Sequence, residues 1–161
     1  MNRRYPTVLS LAIALLLGVS ASAGADILNY EATLNAAQEV PPTGSSATGS
    51  AVIVIDTDAN TLDYNITFSG LEGTETAAHI HGFAAPGFEA GPVHTLPAGS
   101  PKIGTWNYTE DQEASILDEL TYINIHSTEE SDGEIRGQVV ESQGVPVEPT
   151  TWGRIKQLME L

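Results

Sequence analysis

Alternation of apolar and polar residues with a period of two is the feature that most restricts the fold of this chain. In residues 62–68 four apolar side chains alternate with three polar ones. Successive side chains of a β-strand point to opposite faces, so this segment predicts a strand that is buried on one side. The β-branched run 51–55 precedes it, and the connection 56–60 is rich in Asp and Asn, which favour turns. The two segments predict a β-hairpin.

Other short segments follow a similar pattern, and glycine or proline stands in nearly every gap between them. The predicted strands are 27–36, 51–55, 62–68, 77–82, 93–96, 103–108, 122–127 and 134–140. One short helix is expected at about 110–119, where Thr109 can cap the N-terminus and Gln112 occupies the third helical position. This order of elements predicts an all-β fold, an antiparallel Greek-key β-sandwich with one short helix. A small closed barrel is the alternative.

The two ends of the chain differ from this β-rich middle. Residues 1–23 combine a positive start, an apolar stretch and a small-residue cleavage site, as a secretory signal peptide does. Cleavage after Ala25 and an uncleaved anchor are the alternatives. Residues 24–140 are expected to form the β-sandwich, and 141–161 a linker and a tail. The tail is either a short amphipathic helix with Trp152, Ile155 and Met159 on one face or a mobile segment without a specific role. The expected location is secreted or periplasmic, with no integral membrane span after cleavage.

Charge restricts the expected partners. The chain has 21 acidic and 6 basic residues, a net charge of −15, and it loses two arginines with the predicted signal. A protein this acidic repels phosphate backbones and anionic membrane surfaces, so nucleic acid is not an expected partner. The chain has no cysteine and must fold without disulfides. The partners that remain as expectations are an extracellular protein and a metal ion.

The histidines give the strongest indication of a site. His79 and His81 are two residues apart on a predicted strand, so both imidazoles lie on one face, roughly 7 Å apart at Cα, while Ile80 points to the core. His126 shares the outward face of its own strand with Asn124. If the two strands are neighbours, His126 completes a three-histidine site.

His94 follows a glycine-rich loop and is either a fourth ligand or a residue at the rim of the site. Ligation by imidazoles alone suits copper or zinc, and the sequence does not choose between these metals. The alternative to a metal site is a structural role, in which the histidines hydrogen-bond across the sheet and hold the loop 83–92.

Three polar residues are expected beside the histidines, either as their supports or as structural residues: Asn124, Glu134 and Arg136. Glu134 is expected to orient His126, because ligating histidines commonly donate their second ring N–H to a partner. Arg136 is expected to form an ion pair that orders the hairpin 122–140, rather than to clamp a substrate.

Other matches to known sites fail. The segment 56–67 begins like a calcium-binding loop, but it lacks the glycine and the final glutamate that such a loop requires. The chain contains no cysteine nucleophile, no Gly-x-Ser-x-Gly elbow and no phosphate-binding glycine loop. The sequence therefore gives no support for ordinary hydrolase or nucleotide chemistry.

Four ordered blocks carry a family resemblance: Leu34–Pro42, Ala77–Gly82, Tyr122–Ser127 and Gly133–Gln138. Together they resemble the CHRD domain, the module repeated in chordin and found alone in exported microbial proteins, over about residues 27–140. The resemblance implies an immunoglobulin-like or related β-sandwich and a secreted location. It favours a non-enzymatic binding or structural module.

A weaker resemblance is to copper–zinc superoxide dismutases, which place a His-x-His pair on a strand of a Greek-key β-barrel. It implies a superoxide-dismutase-like version of the sandwich, with His79, His81 and His126 matching the copper ligands and His94 as a bridging or extra ligand. The chain lacks the dismutase disulfide and a zinc subsite of histidines plus aspartate. A copper-dependent redox enzyme or copper carrier is therefore the alternative to a binding module.

Overall fold

The computed structural model describes residues 26–143, which form an antiparallel sheet, a 3₁₀ turn and one α-helix. The strands are β1 (Ile27–Asn35), β2 (Thr48–Asp56), β3 (Thr61–Ser69), β4 (Glu75–Gly82), β5 (Pro92–Thr95), β6 (Lys102–Asn107), β7 (Thr121–Ser127), β8 (Ile135–Gln138) and β9 (Val140–Glu141). The 3₁₀ turn is Ala36–Gln38, and the helix α1 is Glu110–Leu117. The predicted signal peptide and nearly all of the predicted tail lie outside the described residues.

The predicted all-β fold with one short helix is confirmed. β2 and β3 form the predicted hairpin, in continuous register from Thr48 opposite Ser69 to Asp56 opposite Thr61. Asp56 stabilises the turn, because its Oδ1 accepts the N–H groups of the two residues at positions 58 and 59, at 3.0 and 2.9 Å. Within the described part of the chain, no helix is long and apolar enough to cross a membrane.

Several predicted elements differ by a few residues from those observed, and two of the differences have a clear backbone cause. The helix α1 ends at Leu117 rather than near 119, since Glu119 has a φ of 61°, which is incompatible with a continuing helix. The predicted strand 134–140 is two strands, β8 and β9. Between them the fully buried Val139 donates its N–H to the carbonyl oxygen of Thr121 at 3.0 Å, and β9 then pairs with β1 instead of β7.

The sheet curls until its two edge strands meet. Its strand order is β5-β4-β7-β8-β1-β2-β3-β6, so β5 and β6 are the edges. His94 of β5 stacks on Trp106 of β6, with ring centroids 5.9 Å apart, and its Nε2 lies 3.3 Å from the hydroxyl of Tyr64 on β3. The result is a nearly closed barrel or sandwich, closed by side chains at the place where backbone pairing stops.

The interior of the barrel is filled by apolar side chains from the inward faces of the strands. Ile80 of β4 and Ile123 and Ile125 of β7 are fully buried, as are Ile53 and Ile66 of the first hairpin. The inward orientation of Ile80 is as predicted, and it places the flanking histidines of β4 on the other face.

Lys102 of β6 is a charged group at this closure. Its side chain is 0% exposed, and its Nζ forms an ion pair with Glu75 of β4 and donates to the carbonyl oxygen of Pro97 at 2.7 Å. The ammonium also lies 5.1 Å from the ring centroid of Phe68. A buried ammonium is tolerated only when it is paired and hydrogen-bonded, so Glu75 is needed to compensate Lys102.

Replacement of Glu75 by glutamine tests the importance of this ion pair. We expect Glu75→Gln to lower the free energy of unfolding by about 3 kcal/mol, because it leaves the Lys102 ammonium buried without a counter-charge. The double variant Lys102→Met/Glu75→Gln should be more stable than Glu75→Gln alone, since the buried charge is then gone. Urea denaturation measures both, and an unchanged stability of Glu75→Gln would contradict the assigned role.

Candidate functional site

The candidate site lies on the outward face of three neighbouring strands, β4, β7 and β8. In the register of β4 and β7, His79 is opposite Asn124 and His81 is opposite Tyr122. On the other side of β7, Asn124 is opposite Arg136. Paired residues of an antiparallel sheet point to the same side, so these polar side chains form one layer on the outside of the barrel.

His79, His81 and His126 meet in this layer as the sequence predicts. Their ring centroids are 5.2 Å apart for His79 and His126, 5.5 Å for His79 and His81, and 6.0 Å for His81 and His126. One ring nitrogen from each lies within 4.8 Å of the other two. A tetrahedral metal with ligands at about 2 Å holds nitrogens roughly 3.3 Å apart, so small side-chain rotations suffice to bring the three onto one ion.

Backbone carbonyls fix the tautomers of two of these imidazoles. Nδ1 of His81 lies 2.8 Å from the carbonyl oxygen of Ala90, and Nδ1 of His126 lies 3.0 Å from that of Ser131. A carbonyl only accepts hydrogen bonds, so each Nδ1 carries the proton and each Nε2 keeps its lone pair. Nε2 of His81 is buried without a hydrogen-bond partner among the described residues, and Nε2 of His126 is 3.3 Å from Nδ1 of His79. The lone pair of His126 Nε2 is therefore placed to accept a hydrogen bond from His79, while the lone pair of His81 Nε2 has no partner among these residues.

The surroundings of His79 and His81 favour the neutral form of both rings. Burial lowers the pKa of His79, and the neighbouring His126 and His81 lower it further. Burial also lowers the pKa of His81, against the opposing effect of its hydrogen bond to Ala90. Neutral imidazoles are the form that binds metals, so burial of His79 and His81 favours the form of these two rings that a metal requires.

The loop 83–91 closes over one side of the cluster and is held there by Tyr122. The tyrosine hydroxyl donates to the carbonyl oxygen of Ala90 at 2.9 Å and accepts the N–H of the same residue at 3.0 Å. The ring of Tyr122 stacks on His81 with centroids 4.9 Å apart. His81 is therefore only 9% exposed although it lies on the outer face.

His94 is not part of this cluster, which corrects its prediction as a fourth ligand of the site. It pairs with Ile80 in the register of β4 and β5, which places its side chain on the inward side, away from His79 and His81. There it contacts Tyr64 and Trp106 at the closure, and burial lowers its pKa. Its role in this position is structural.

Glu134 does not orient His126, which also corrects the prediction. Its Oε1 accepts the hydroxyl of Ser45 and the N–H of Glu72, both at 2.7 Å, so the carboxylate joins two loops. Burial alone raises its pKa, but hydrogen bonds from Ser127, Ser45 and two backbone amides outweigh it, and the pKa of Glu134 is lowered. The partner of His126 is instead a backbone carbonyl, that of Ser131.

Gly133 explains why the chain can bring Ser131 to this position. Its φ is 140°, a region that other residues rarely adopt, and a Cβ at this residue would lie 2.4 Å from Oδ1 of Asn124. The amide of Asn124 thus packs directly on the loop that carries Ser131. The hydrogen bonds of the Asn124 amide go to Glu39 and to the carbonyl oxygen of Asp132 in this loop.

Among the described residues, Arg136 has no carboxylate within 4 Å. The ion pair observed in this part of the chain is that of Lys102 with Glu75. The predicted ion pair is therefore not observed among these residues, although Arg136 lies close enough to Glu39 to lower the pKa of that carboxyl group. Its guanidinium carbon lies 3.5 Å from the ring centroid of Tyr122, and its Nη2 donates to Gln138 Oε1 at 3.1 Å. The arginine is 2% exposed and stacks on an aromatic ring, an interaction that its planar cation favours.

Glu39 is a site residue that the sequence reasoning did not identify. It is 7% exposed, and its Oε2 accepts a hydrogen bond from Asn124 Nδ2 at 3.4 Å. Burial raises its pKa to about 7, and the nearby Glu89 and Glu130 add to this effect, while Arg136 and the Asn124 hydrogen bond oppose it. The sequence signal that could have identified Glu39 is its position in the block Leu34–Pro42, one of the four blocks that carry the family resemblance.

Comparison with known proteins identifies a family for this chain. The model of the CHRD domain family matches residues 30–139, which include both the barrel and the histidine cluster. No curated protein and no solved structure gives a significant match.

The raised pKa of Glu39 predicts a pH-dependent stability. Between about pH 4.5 and 7 an unfolded chain releases the Glu39 proton while the folded protein keeps it, so stability falls as pH rises through this window. The loss amounts to about 3 kcal/mol, and Glu39→Gln should remove it. Urea denaturation at several pH values measures this, with the exposed Glu129→Gln as the matched control. A constant difference between Glu39→Gln and the native protein across this range would contradict the prediction.

Proposed function

The chain belongs to the CHRD domain family, and we propose that it is an exported, non-enzymatic binding module that holds a copper or zinc ion at His79, His81 and His126. The observation that carries this proposal is the pair of carbonyl contacts that fix the tautomers of His81 and His126. These contacts hold both Nδ1 atoms to the backbone, so the Nε2 atoms of His81 and His126 are the ones available to a metal, and one nitrogen of each of the three histidines lies within 4.8 Å of the others.

The donor set supports copper or zinc in particular. Three neutral nitrogens suit these borderline metals and not calcium or magnesium, which prefer oxygen ligands. Three protein ligands leave a further coordination position for a water molecule, for a group on a bound molecule or for a donor from a partner protein. This open position is compatible with a carrier or with a module that uses the ion to bind something else.

A copper-dependent redox role is the second candidate, and it is favoured by the all-imidazole ligand set. The superoxide dismutase comparison is weakened by the position of His94, which lies inward and cannot bridge to a second metal beside the cluster. Within residues 26–143, His79, His81 and His126 form the one group of three or more metal-ligating side chains. The groups that surround the imidazoles hold the rings in place, which supports binding over catalysis.

Export of the protein is part of the proposal and is supported by the first 23 residues, which have the composition of a signal peptide. Determination of the N-terminal residue of protein recovered from the host's medium or periplasm tests it. A start near residue 24 or 26 supports export, and intact protein retained in the cytoplasm would contradict it.

Metal titration of protein purified without a histidine tag tests the site. We expect one equivalent of Cu²⁺ or Zn²⁺ to bind, with the affinity falling as pH is lowered, because protons compete for the imidazole lone pairs. His81→Ala and His126→Ala should each weaken binding by at least about 100-fold, since the loss of a ligand exceeds the cost of losing an outer partner. Isothermal titration calorimetry and elemental analysis measure both.

The matched control is His94→Gln, which removes a histidine of the same chain that lies outside the cluster. Its metal affinity should equal that of the native protein. Absence of stoichiometric binding, or an equal loss of affinity in His94→Gln and His81→Ala, would contradict the proposed site. If copper binds, a superoxide assay on the loaded protein separates a carrier from a redox enzyme.

A further inference from the structure

A second candidate site lies beside the histidine cluster, on the opposite side of Tyr122. It is a cavity of about 420 Å³, a volume in the range of small-molecule sites. The 3₁₀ turn and the segment that follows it form one wall, and the loop 83–91 forms another. Val40, Pro42 and Pro86 give these walls an apolar surface, while Glu39, Arg136 and Gln138 supply polar groups.

Arg136 is the first reason to expect a ligand here. A guanidinium has five N–H donors, and the contact resolved for this one is a single hydrogen bond to Gln138, with Tyr122 stacked on its face. No carboxylate of the described residues lies within 4 Å of it. A cation that is 2% exposed is costly without a close counter-charge, and a carboxylate in the cavity could supply one through two parallel hydrogen bonds.

Glu39 is the second reason. Its Oε2 has the long contact to Asn124, but its Oε1 is buried and has no hydrogen-bond partner among the described residues. A buried acceptor without a donor costs free energy, which a ligand with an N–H or O–H group would recover. Among the described residues, the cavity therefore presents a guanidinium that has no carboxylate within 4 Å, which Glu39 affects only from a longer distance, and a carboxyl oxygen of Glu39 that lacks a donor.

We propose that this cavity binds a small organic acid that carries a hydrogen-bond donor next to its carboxylate, an α-amino or α-hydroxy acid with an apolar side chain. The carboxylate pairs with Arg136, and the amino or hydroxyl group donates to Glu39 Oε1. The apolar side chain lies against Val40, Pro42 and Pro86. This site shares none of the three metal ligands, so its test is independent of the proposed metal function.

The test is calorimetric titration of metal-depleted protein with three acids of the same carbon skeleton: L-leucine, 2-hydroxy-4-methylpentanoate and 4-methylpentanoate. Leucine or its hydroxy analogue should bind at least about tenfold more tightly than 4-methylpentanoate, which lacks the donor and leaves Glu39 unpaired. Which of the two binds more tightly separates the amino from the hydroxy acid. No saturable binding of either up to about 10 mM would overturn the proposal.

Variants assign the two contacts. Arg136→Gln should abolish binding of all three acids, and Arg136→Lys should weaken it about tenfold, because lysine keeps the charge but loses the planar fork. Glu39→Gln should reduce the preference over 4-methylpentanoate while leaving the affinity for that acid within about twofold of native. Glu39→Gln keeps the test decisive if the arginine variants do not fold. A preference that is unchanged in Glu39→Gln, or affinities unchanged in Arg136→Gln, would refute the assignment, and Glu129→Gln is the surface control.

Discussion

The register between β4 and β7 is the constraint on which both the core and the candidate site depend. It places Ile80 beside Ile123 inside the barrel and His79 beside Asn124 outside it. Because side chains alternate with a period of two, a slip by one residue would turn the isoleucines outward and bury the imidazoles. The burial of the isoleucines therefore fixes the position of the histidines.

The sequence predicted the all-β fold and the proximity of the three histidines of the cluster. The alternation in residues 62–68 and the His-x-His spacing are both local patterns, and both follow directly from strand geometry. The grouping of His126 with His79 and His81 needed one further assumption, that β4 and β7 are neighbours, which the observed strand order confirms. The end of α1 and the break at Val139 were missed because they depend on single backbone conformations.

The residues that were misplaced or missed depend on non-local geometry. The inward orientation of His94 follows from its pairing with Ile80, which its own short strand does not reveal. The carbonyl groups of Ala90 and Ser131 carry no side-chain signal, so no sequence pattern points to them. Glu39 and Arg136 are distant in sequence, and their roles depend on how the loop that carries Glu39 covers the outer face of β8. Because the chain is acidic, the sequence predicted an ion pair for Arg136, whereas its guanidinium stacks on the ring of Tyr122.

Closure of the barrel by side chains has a consequence for association between molecules. β5 and β6 each have one edge whose backbone groups pair with no other strand of the described sheet, and they face one another across the contact of His94 with Trp106. Unpaired strand edges are templates on which other chains can add strands. The aromatic and charged contacts at the closure thus protect both strand edges from pairing with other molecules. If the closure opened, the unpaired backbone groups of β5 and β6 would become available for aggregation at the same time.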